Sequence, residues 1–320
     1  KEANLEDYKR IKDNVSLNVV NSYLNVLLNK ENLNIAQAQY AFSVEQLERI
    51  EELVKAGIQP EANRYDAQAT LASDEQRLTV AENNYNLALL SLSQVLQVPF
   101  DGFDVEFIEL ENPSELIMYS NVDDILSFAL NNRSEIKLAK KNIESAELSK
   151  EISKSGFYPS LSFSYGLNAG ANFSNLTSDN SFFQQINDNR GHAFGLRLNI
   201  PIYSRNQNKT ALSKAKIQVE NSGLALAQAK VDLESNIRRA YNDAKASLKS
   251  FTSSKKSVSA RQFSFENAQE RYNIGALNSL DLEQNRTQLI SAQSSLVQAK
   301  YDFIFKTKVL DFYLGKPLDL

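Results

Sequence analysis

The sequence predicts a mainly α-helical protein, built from long coiled-coil hairpins with one pair of β-strands between them. Three observations support this fold class. Glycine and proline are scarce, at 10 and 6 of 320 residues, which favours long uninterrupted elements over a turn-rich sandwich. One apolar pattern occurs twice in the same register, around Gly57 and Gly275. Between 157 and 203 the helical period gives way to strict two-residue alternation.

The repeat is defined by the offset of 218 positions between Gly57 and Gly275. Without a gap, this offset pairs apolar positions over most of a hundred residues, for example Tyr23 with Tyr241. We therefore infer an internal duplication. If the duplication is complete, the strands of the second half have counterparts upstream of Lys1. We then expect about a hundred further residues there and four strands per chain.

The helix after each glycine carries large apolar side chains seven residues apart, which indicates coiled-coil packing. We interpret these side chains as core rather than as ligands: Leu71, Leu78, Tyr85 and Leu92 in the first repeat, and Leu289, Leu296, Phe303 and Leu310 in the second. The helix before Gly57 has an apolar ladder with mixed three- and four-residue steps: Leu5, Tyr8, Ile11, Val15, Val19 and Tyr23.

The helices before the glycines are predicted over 5–56 and 208–274, about 75–80 Å and about 100 Å long at 1.5 Å per residue. Such lengths exceed a globular core, so each helix is expected to pack along the helix that follows its glycine. The glycine is then the tip of a long hairpin, in a left-handed C-cap conformation. A further helix is expected to begin near 121.

Two stretches, "PSLSFSYGLN" and "HAFGLRLNIPIY", alternate strictly and predict β-strands. Their apolar residues share one face: Leu161, Phe163, Tyr165 and Leu167 in the first stretch, and Phe194, Leu196, Leu198, Ile200 and Ile202 in the second. The other face carries Ser, Gly, Asn and Arg197. Each stretch is close to the about 9–11 residues that cross a bilayer when tilted. The polar connection 169–191 is typical of the extracellular loops of outer-membrane barrels.

A soluble hairpin that packs its apolar face on a helix is the alternative. Because a two-stranded hairpin alone is not stable in water, and the second face suits a wet lumen, we favour strands whose apolar face contacts lipid.

Composition excludes several classes of function. The net charge of −4 argues against a nucleic-acid partner, which requires a basic face. The absence of cysteine excludes disulfides and thiolate metal sites. His192 is the only histidine, flanks the second strand, and supplies too few ligands for a metal site. No Gly-rich phosphate loop or paired carboxylates in a pocket-like context occur. We therefore expect no cofactor, no metal and no enzymatic activity.

These features together resemble the TolC-type outer-membrane efflux protein family. The resemblance covers essentially the whole chain, and its specific parts are the two glycine turns, "NNRSEIKLAKKNIESAELSKEISKSGFYPSLSFSYG" (131–166) and "GLRLNIPIYSRNQNKTALSKA" (195–215). It implies a homotrimer whose helical hairpins form an α-barrel and whose strands form one 12-stranded barrel in outer-membrane lipid. It also implies a long periplasmic extension that meets a periplasmic adaptor (membrane fusion) protein and, through it, an inner-membrane pump.

The resemblance also assigns roles to the tips. The adaptor-contact turns correspond to Ala56, Gly57 and Ile58 and to Ile274, Gly275 and Ala276. The pore constriction corresponds to Tyr272, Asp281 and Gln284. The family's constriction network also uses an arginine, a second acid and a Thr-Asp pair, and these positions hold Leu277, Gln284 and Ala62-Asn63. A constricted tip is therefore implied, but not that particular network.

Two roles are open for Asp281. Three copies near the threefold axis of a trimer would form an acidic ring that attracts cations. Alternatively, the carboxylate stabilises the start of the returning helix by about 0.3–1 kcal/mol. We favour the ring, because Tyr272 and Asp281 both match the family pattern.

The predicted function is a passive trimeric export duct for drugs or other cargo, and the alternative is a soluble coiled-coil scaffold or periplasmic adaptor with a small β-domain. The expected organisation is a first helical hairpin over 1–99, a linker over 100–130, a helix leading to the barrel over 131–156, a transmembrane strand pair over 157–203, a second helical hairpin over 204–314 and a C-terminal segment over 315–320.

Overall fold

The computed structural model describes residues 1–106, 121–173 and 181–318. The chain divides into two compact units, one formed by Lys1–Leu138 with Gln228–Leu320 and the other by Ala139–Ala227. In chain order the elements are α1 (Glu2–Lys55), α2 (Glu61–Leu96), α3 (Val122–Asn132), α4 (Ser134–Ser155), β1 (Ser160–Asn168), α5 (Phe182–Asp188), β2 (Gly191–Asn199), α6 (Gln207–Asn273) and α7 (Ser279–Tyr313).

The helix predictions are confirmed to within a few residues. The helices predicted over 5–56 and 208–274 are α1 and α6, and α4 lies inside the predicted 131–156. The linker predicted over 100–130 is partly helical, because the Asn121 side chain accepts a hydrogen bond from the Asp123 amide and caps α3. Residues 107–120 of that linker lie outside the described residues. Arg133, with ψ 140°, ends α3 before α4 starts.

Both hairpin tips have the same backbone geometry. Gly57 and Gly275 have φ of +73° and +75°, the left-handed region that costs glycine little and other residues more. The amide of Ile58 donates to the Leu53 carbonyl at 2.9 Å, and that of Ala276 donates to the Arg271 carbonyl at 2.8 Å. These bonds satisfy carbonyls that the helix end leaves free. The predicted left-handed turn at each glycine is thus confirmed.

The core of the first unit lies where α1 meets α2 and α7. Towards α2 the buried side chains include Val26, Leu89 and Leu92. Towards α7 they include Leu27 and Tyr301. Helix α1 therefore packs against both of the helices that follow a tip, and it is the central helix of this unit.

The two heptad ladders pack unequally, which the repeat did not predict. In the second repeat Leu289, Phe303 and Leu310 are buried and Leu296 is half-buried, whereas in the first repeat only Leu92 is buried. The reason is the position of α7. It packs against α1, and Phe303 also stacks on Phe251 of α6 with ring centroids 6.5 Å apart, whereas α2 packs chiefly against α1.

The start of the apolar ladder on α1 is exposed. Leu5, Tyr8, Ile11 and Val15 are 48–63% exposed. The apolar contacts of α1 with α2 and α7 involve residues from Val20 onwards. The apolar ladder places these side chains on one face of α1. Burial would also require another helix to pack against that part of α1.

The second unit contains the predicted strand pair. β1 and β2 are antiparallel, and Phe163 lies opposite Leu196. Two details of the prediction are corrected. Ile200 follows the last residue of β2, and His192 lies inside β2, opposite Leu167, rather than beside it. The loop 169–191 contains the short helix α5, and its residues 174–180 lie outside the described residues.

Within the described ranges, no helix combines the length and the apolar content that a membrane crossing requires.

Candidate functional site: the helix tips and the strand pair

The predicted adaptor-contact turns are solvent-exposed. Ala56, Gly57, Gly275 and Ala276 are all exposed. The large side chains of the two turns, Ile58 and Ile274, are 69% and 80% exposed. A methyl group added to either glycine would meet nothing within 4 Å. Each tip thus presents one isoleucine and bare backbone to its surroundings.

Within the described ranges of one chain, the predicted constriction residues do not form hydrogen bonds or ion pairs with one another. Tyr272 is half-buried and lines a cavity of about 310 Å³ below the tips, together with Asn63 and Glu283. Asp281 lies in the first turn of α7, and its amide donates to the capping side chain of Asn278 at 2.8 Å. Gln284 is exposed. Among the described residues, no hydrogen bond or ion pair links Tyr272 with Asp281 or Gln284.

The structure brings together a polar cluster that sequence reasoning missed. Ser43 of α1, Asp74 of α2 and Arg286 of α7 are only 2%, 1% and 2% exposed. Arg286 donates through Nη1 to Ser43 Oγ at 2.8 Å and through Nη2 to Asp74. Ser43 also donates to Asp74. One arginine therefore ties the second hairpin to both helices of the first.

Two further charges surround this cluster. Arg77 Nη1 lies 3.2 Å from the second carboxylate oxygen of Asp74, and Glu283 lies 3.1 Å from Arg286 Nε. Burial raises the pKa of the Glu283 carboxyl above its usual value, although the nearby Arg286 guanidinium opposes this shift. Buried charges are tolerated only when paired in this way, because desolvation costs each ion several kcal/mol.

A sequence signal for the cluster exists. Asp74 lies between the heptad residues Leu71 and Leu78, at the second core position of the heptad, where an apolar residue is expected. Arg286 lies between the buried Leu282 and Leu289 on the same face of α7. An acid and a base at core positions of two different helices predict a buried pair.

The register of the strand pair separates two faces. Leu161, Phe163 and Tyr165 lie opposite Leu198, Leu196 and Phe194, and these side chains are 53–74% exposed. On the other face Ser160, Ser162 and Ser164 lie opposite Asn199, Arg197 and Gly195. The space above Gly195 is occupied, since a Cβ there would lie 2.7 Å from Ser164 Oγ.

Aromatic and polar groups meet at the loop end of the apolar face. The Tyr165 hydroxyl lies 2.7 Å from His192 Nδ1, and the two rings stack with centroids 6.0 Å apart. Leu167 lies opposite His192. The face is thus apolar along most of its length and gains hydrogen-bonding groups where the loop begins.

Comparison with known proteins identifies the family. The model of the outer membrane efflux protein family matches residues 125–316, a span that includes the strand pair, α6 and α7. The chain belongs to the outer membrane efflux protein family. The predicted family and the outer-membrane location are thereby confirmed.

Individual relatives of this efflux protein agree. The chain is 24% identical to outer membrane protein TolC of Vibrio cholerae over 315 residues, which cover 96% of this chain and 69% of TolC. It is 21% identical to the alkaline protease secretion protein AprF of Pseudomonas aeruginosa, over 97% of this chain and 63% of AprF. The chain thus spans about two thirds of the length of these curated relatives.

The fold is shared with solved structures. The outer membrane protein VceC of Vibrio cholerae matches with a TM-score of 0.74 at 18% identity, over 99% of this chain and 73% of VceC. This likeness confirms the mainly helical fold class of the efflux protein. TolC and VceC are outer-membrane proteins and AprF is a secretion protein by name, and none of the three is named as an enzyme.

Proposed function

We propose that the protein is a passive trimeric outer-membrane export duct, which connects an inner-membrane pump and a periplasmic adaptor to the exterior for the efflux of drugs or other cargo. The observation that carries the proposal is the exposure of the apolar side chains on the strand pair. Phe163 is 67% exposed and Leu196 is 74% exposed. Exposed apolar surface of this kind is favourable in lipid and costly in water.

The unpaired strand edges support an assembly of several chains. A two-stranded hairpin leaves both outer edges without backbone partners, and in lipid every backbone polar group must be satisfied within the protein. A closed barrel satisfies them, and bacterial barrels have at least eight strands. With the four strands per chain that the duplication implies, three chains supply twelve strands, as in the family that the sequence resembles.

The exposed tips support the proposed partners. Each exposed isoleucine beside a left-handed glycine offers an apolar contact without a neighbouring side chain in the way, and this arrangement suits the end of an adaptor. In this proposal 1–99 and 204–314 form the periplasmic part and 157–203 crosses the outer membrane. The soluble scaffold is disfavoured, because it would leave the apolar face of β1 and β2 in water.

The strand faces provide the test. Arg197 already places a cation on the second face, directly beside Leu196 in sequence. We therefore compare Leu196→Arg with the exchange variant Leu196→Arg/Arg197→Leu, which keeps the composition of β2 constant. Both place an arginine on the lipid side at mid-depth, which costs about 2–4 kcal/mol, so both should reduce the yield of membrane-inserted protein. Asn199→Arg, on the second face opposite Ser160, should insert like the native protein.

Equal insertion of the exchange variant and the native protein would refute a lipid-facing apolar side. The trimer has its own test, which is native mass measurement of the intact protein in detergent. A stable monomer would refute the assembly.

A further inference from the structure

One set of side chains below the tips comes from four helices, α1, α2, α6 and α7. Phe42 and Ser43 belong to α1, Asp74 to α2, Phe265 to α6 and Arg286 to α7. We call these five residues the four-helix clamp. Its polar half is the buried Ser43–Asp74–Arg286 cluster.

The aromatic half of the clamp joins α6 to the same arginine. The rings of Phe42 and Phe265 meet edge to face with centroids 5.9 Å apart. The Arg286 guanidinium carbon lies 5.5 Å from the centroid of Phe42, within the range of a cation–π contact. Phe42 of the first hairpin therefore contacts both helices of the second hairpin, through Arg286 of α7 and Phe265 of α6.

The remainder of the second hairpin is loosely packed near the clamp. Towards the Phe251–Phe303 stack, α6 and α7 are separated by a groove of about 430 Å³ whose walls include Ser254, Ser257 and Ser291. Small polar side chains bury little apolar area there and contribute little packing energy. Near the tip, helix α7 is therefore held less by its hairpin partner α6 than by the face that carries Arg286 and the buried Leu282 and Leu289.

In the part of the chain that the structure describes, the constriction residues at the tip have no comparable connection. Tyr272 and Asp281 are not bonded to each other, and Leu277 cannot form an ion pair. A cross-hairpin bond runs from Arg49 Nη1 to Asn273 Oδ1 at 2.8 Å, but it is exposed and of the kind that contributes little. The buried arginine is the stronger connection, because removing one member of a buried charge pair leaves the other uncompensated.

We propose that the four-helix clamp is the positioning element that holds the second tip against the first, and that it thereby sets the width of the periplasmic mouth. Arg286 is its central residue, with Asp74 as the charge partner and Phe42 as the link to α6. This inference rests on the proposed duct, since only a channel has a mouth to be held.

The test measures the distance between the tips. The chain contains no cysteine, so spin labels can be placed on Ile58→Cys and Ile274→Cys alone, at two exposed tip positions. Labelled chains of the intact protein are diluted into unlabelled chains in lipid, so that each assembly carries one labelled pair. Pulsed electron spin resonance then reports the distribution of distances between the two tips of one chain.

Three variants are compared in this background. Arg286→Met breaks the clamp and leaves Asp74 buried without its partner. Asp74→Leu/Arg286→Met removes both charges, and such apolar replacements often restore folding stability. Arg261→Met is the matched control, because Arg261 also joins α6 to α7, through Gln288, but is exposed. The melting temperature of each protein is measured alongside.

We expect a single narrow distance distribution in the native protein and in Arg261→Met. In both clamp variants the distribution should broaden, even if the double variant has the melting temperature of the native protein. Native-like distances in both clamp variants would overturn the proposal. So would broadening in Arg286→Met alone, because the disturbance would then come from an unpaired Asp74. Equal broadening in Arg261→Met would also overturn it, because an exposed arginine outside the clamp would then have the same effect. Channel conductance of the native protein is recorded separately, so that failure of the duct and failure of the clamp remain distinguishable.

Discussion

Replacing Arg133 with alanine should be among the most damaging single changes in the described part of the chain. Arg133 separates α3 from α4 and is only 7% exposed. Its guanidinium carbon lies 3.9 Å from the ring centroid of Phe312, and Nη1 donates to the Phe312 carbonyl at 3.3 Å. Arg133 also forms ion pairs with Asp13 at 3.5 Å and Glu135 at 3.3 Å, and its guanidinium carbon lies 5.9 Å from the ring centroid of Tyr313. One side chain thus fastens α1 and the end of α7 to the break between α3 and α4.

The magnitude follows from these contacts. A desolvated cation–π contact is worth about 2 kcal/mol, and a hydrogen bond from a charged group about 1.5–3 kcal/mol. The two acidic partners are partly exposed, so their pairs add at most about 1 kcal/mol. Because neighbouring contributions do not add fully, we expect Arg133→Ala to cost about 3–5 kcal/mol.

The matched control is Arg238→Ala. Arg238 also has two acidic neighbours, Glu234 at 2.9 Å and Asp123 at 3.9 Å, but its side chain is 49% exposed. Its loss should cost no more than about 1 kcal/mol. The assay is the rate of unfolding of the intact protein at a fixed elevated temperature, which is the appropriate measure when unfolding is irreversible.

A loss of about 3 kcal/mol that acts on the native state alone accelerates unfolding on the order of 100-fold. We expect acceleration of this order for Arg133→Ala and little change for Arg238→Ala. Equal rates in the two variants would refute the argument that burial and stacking make Arg133 important.

Three further predictions concern the C-terminal turn, the acid beside the clamp and the mouth. Gly315→Ala should destabilise more than Gly57→Ala in the same unfolding assay. Both glycines have positive φ, but only at Gly315 would a Cβ meet Phe128, at 3.1 Å; equal costs would contradict this. Burial raises the pKa of Glu283, so its ionisation opposes folding and stability falls as the pH rises through the raised pKa. Glu283→Gln should therefore melt above the native protein at neutral pH, with a difference that vanishes below the ordinary glutamate pKa of about 4.3; a difference independent of pH would exclude this cause. Within the proposed duct, Asp281→Asn should lower cation selectivity and weaken block by divalent ions in single-channel recordings, whereas unchanged values would leave only its place in the first turn of α7.

Local patterns made much of the fold predictable. The extents of α1 and α6, the left-handed turns at both glycines and the pairing of the two apolar strand faces follow from residues close together in sequence. The helical period, the positive φ that glycine tolerates and the two-residue alternation of strands act over a few residues, so they can be recognised without knowledge of the neighbours. The break at Arg133 lacks such a signal, because no glycine or proline marks it.

The candidate site was predictable only in part. The tips were located by Gly57 and Gly275, and their exposure agrees with a contact surface. The constriction residues were assigned through the family resemblance, and their role in the trimer stays a prediction. Asp74 was overlooked because the heptad around it was interpreted as uniformly apolar.

By itself, the sequence determined that this protein consists of long helices joined at two sharp tips and one two-faced strand pair. The close packing predicted within each hairpin holds for α1 with α2, whereas α7 packs more closely on α1 than on α6. Only the tertiary structure decided which copies of the repeated pattern are buried. Leu310 and its repeat partner Leu92 are both buried. Leu289 is buried as well, but its repeat partner Leu71 is only half-buried, because α7 packs against more helices than α2 does. The structure also decided that Asp74 meets Arg286 across 212 positions of the chain. Periodicity specifies the face on which a side chain lies, but burial and charge pairing depend on which distant helix packs against that face.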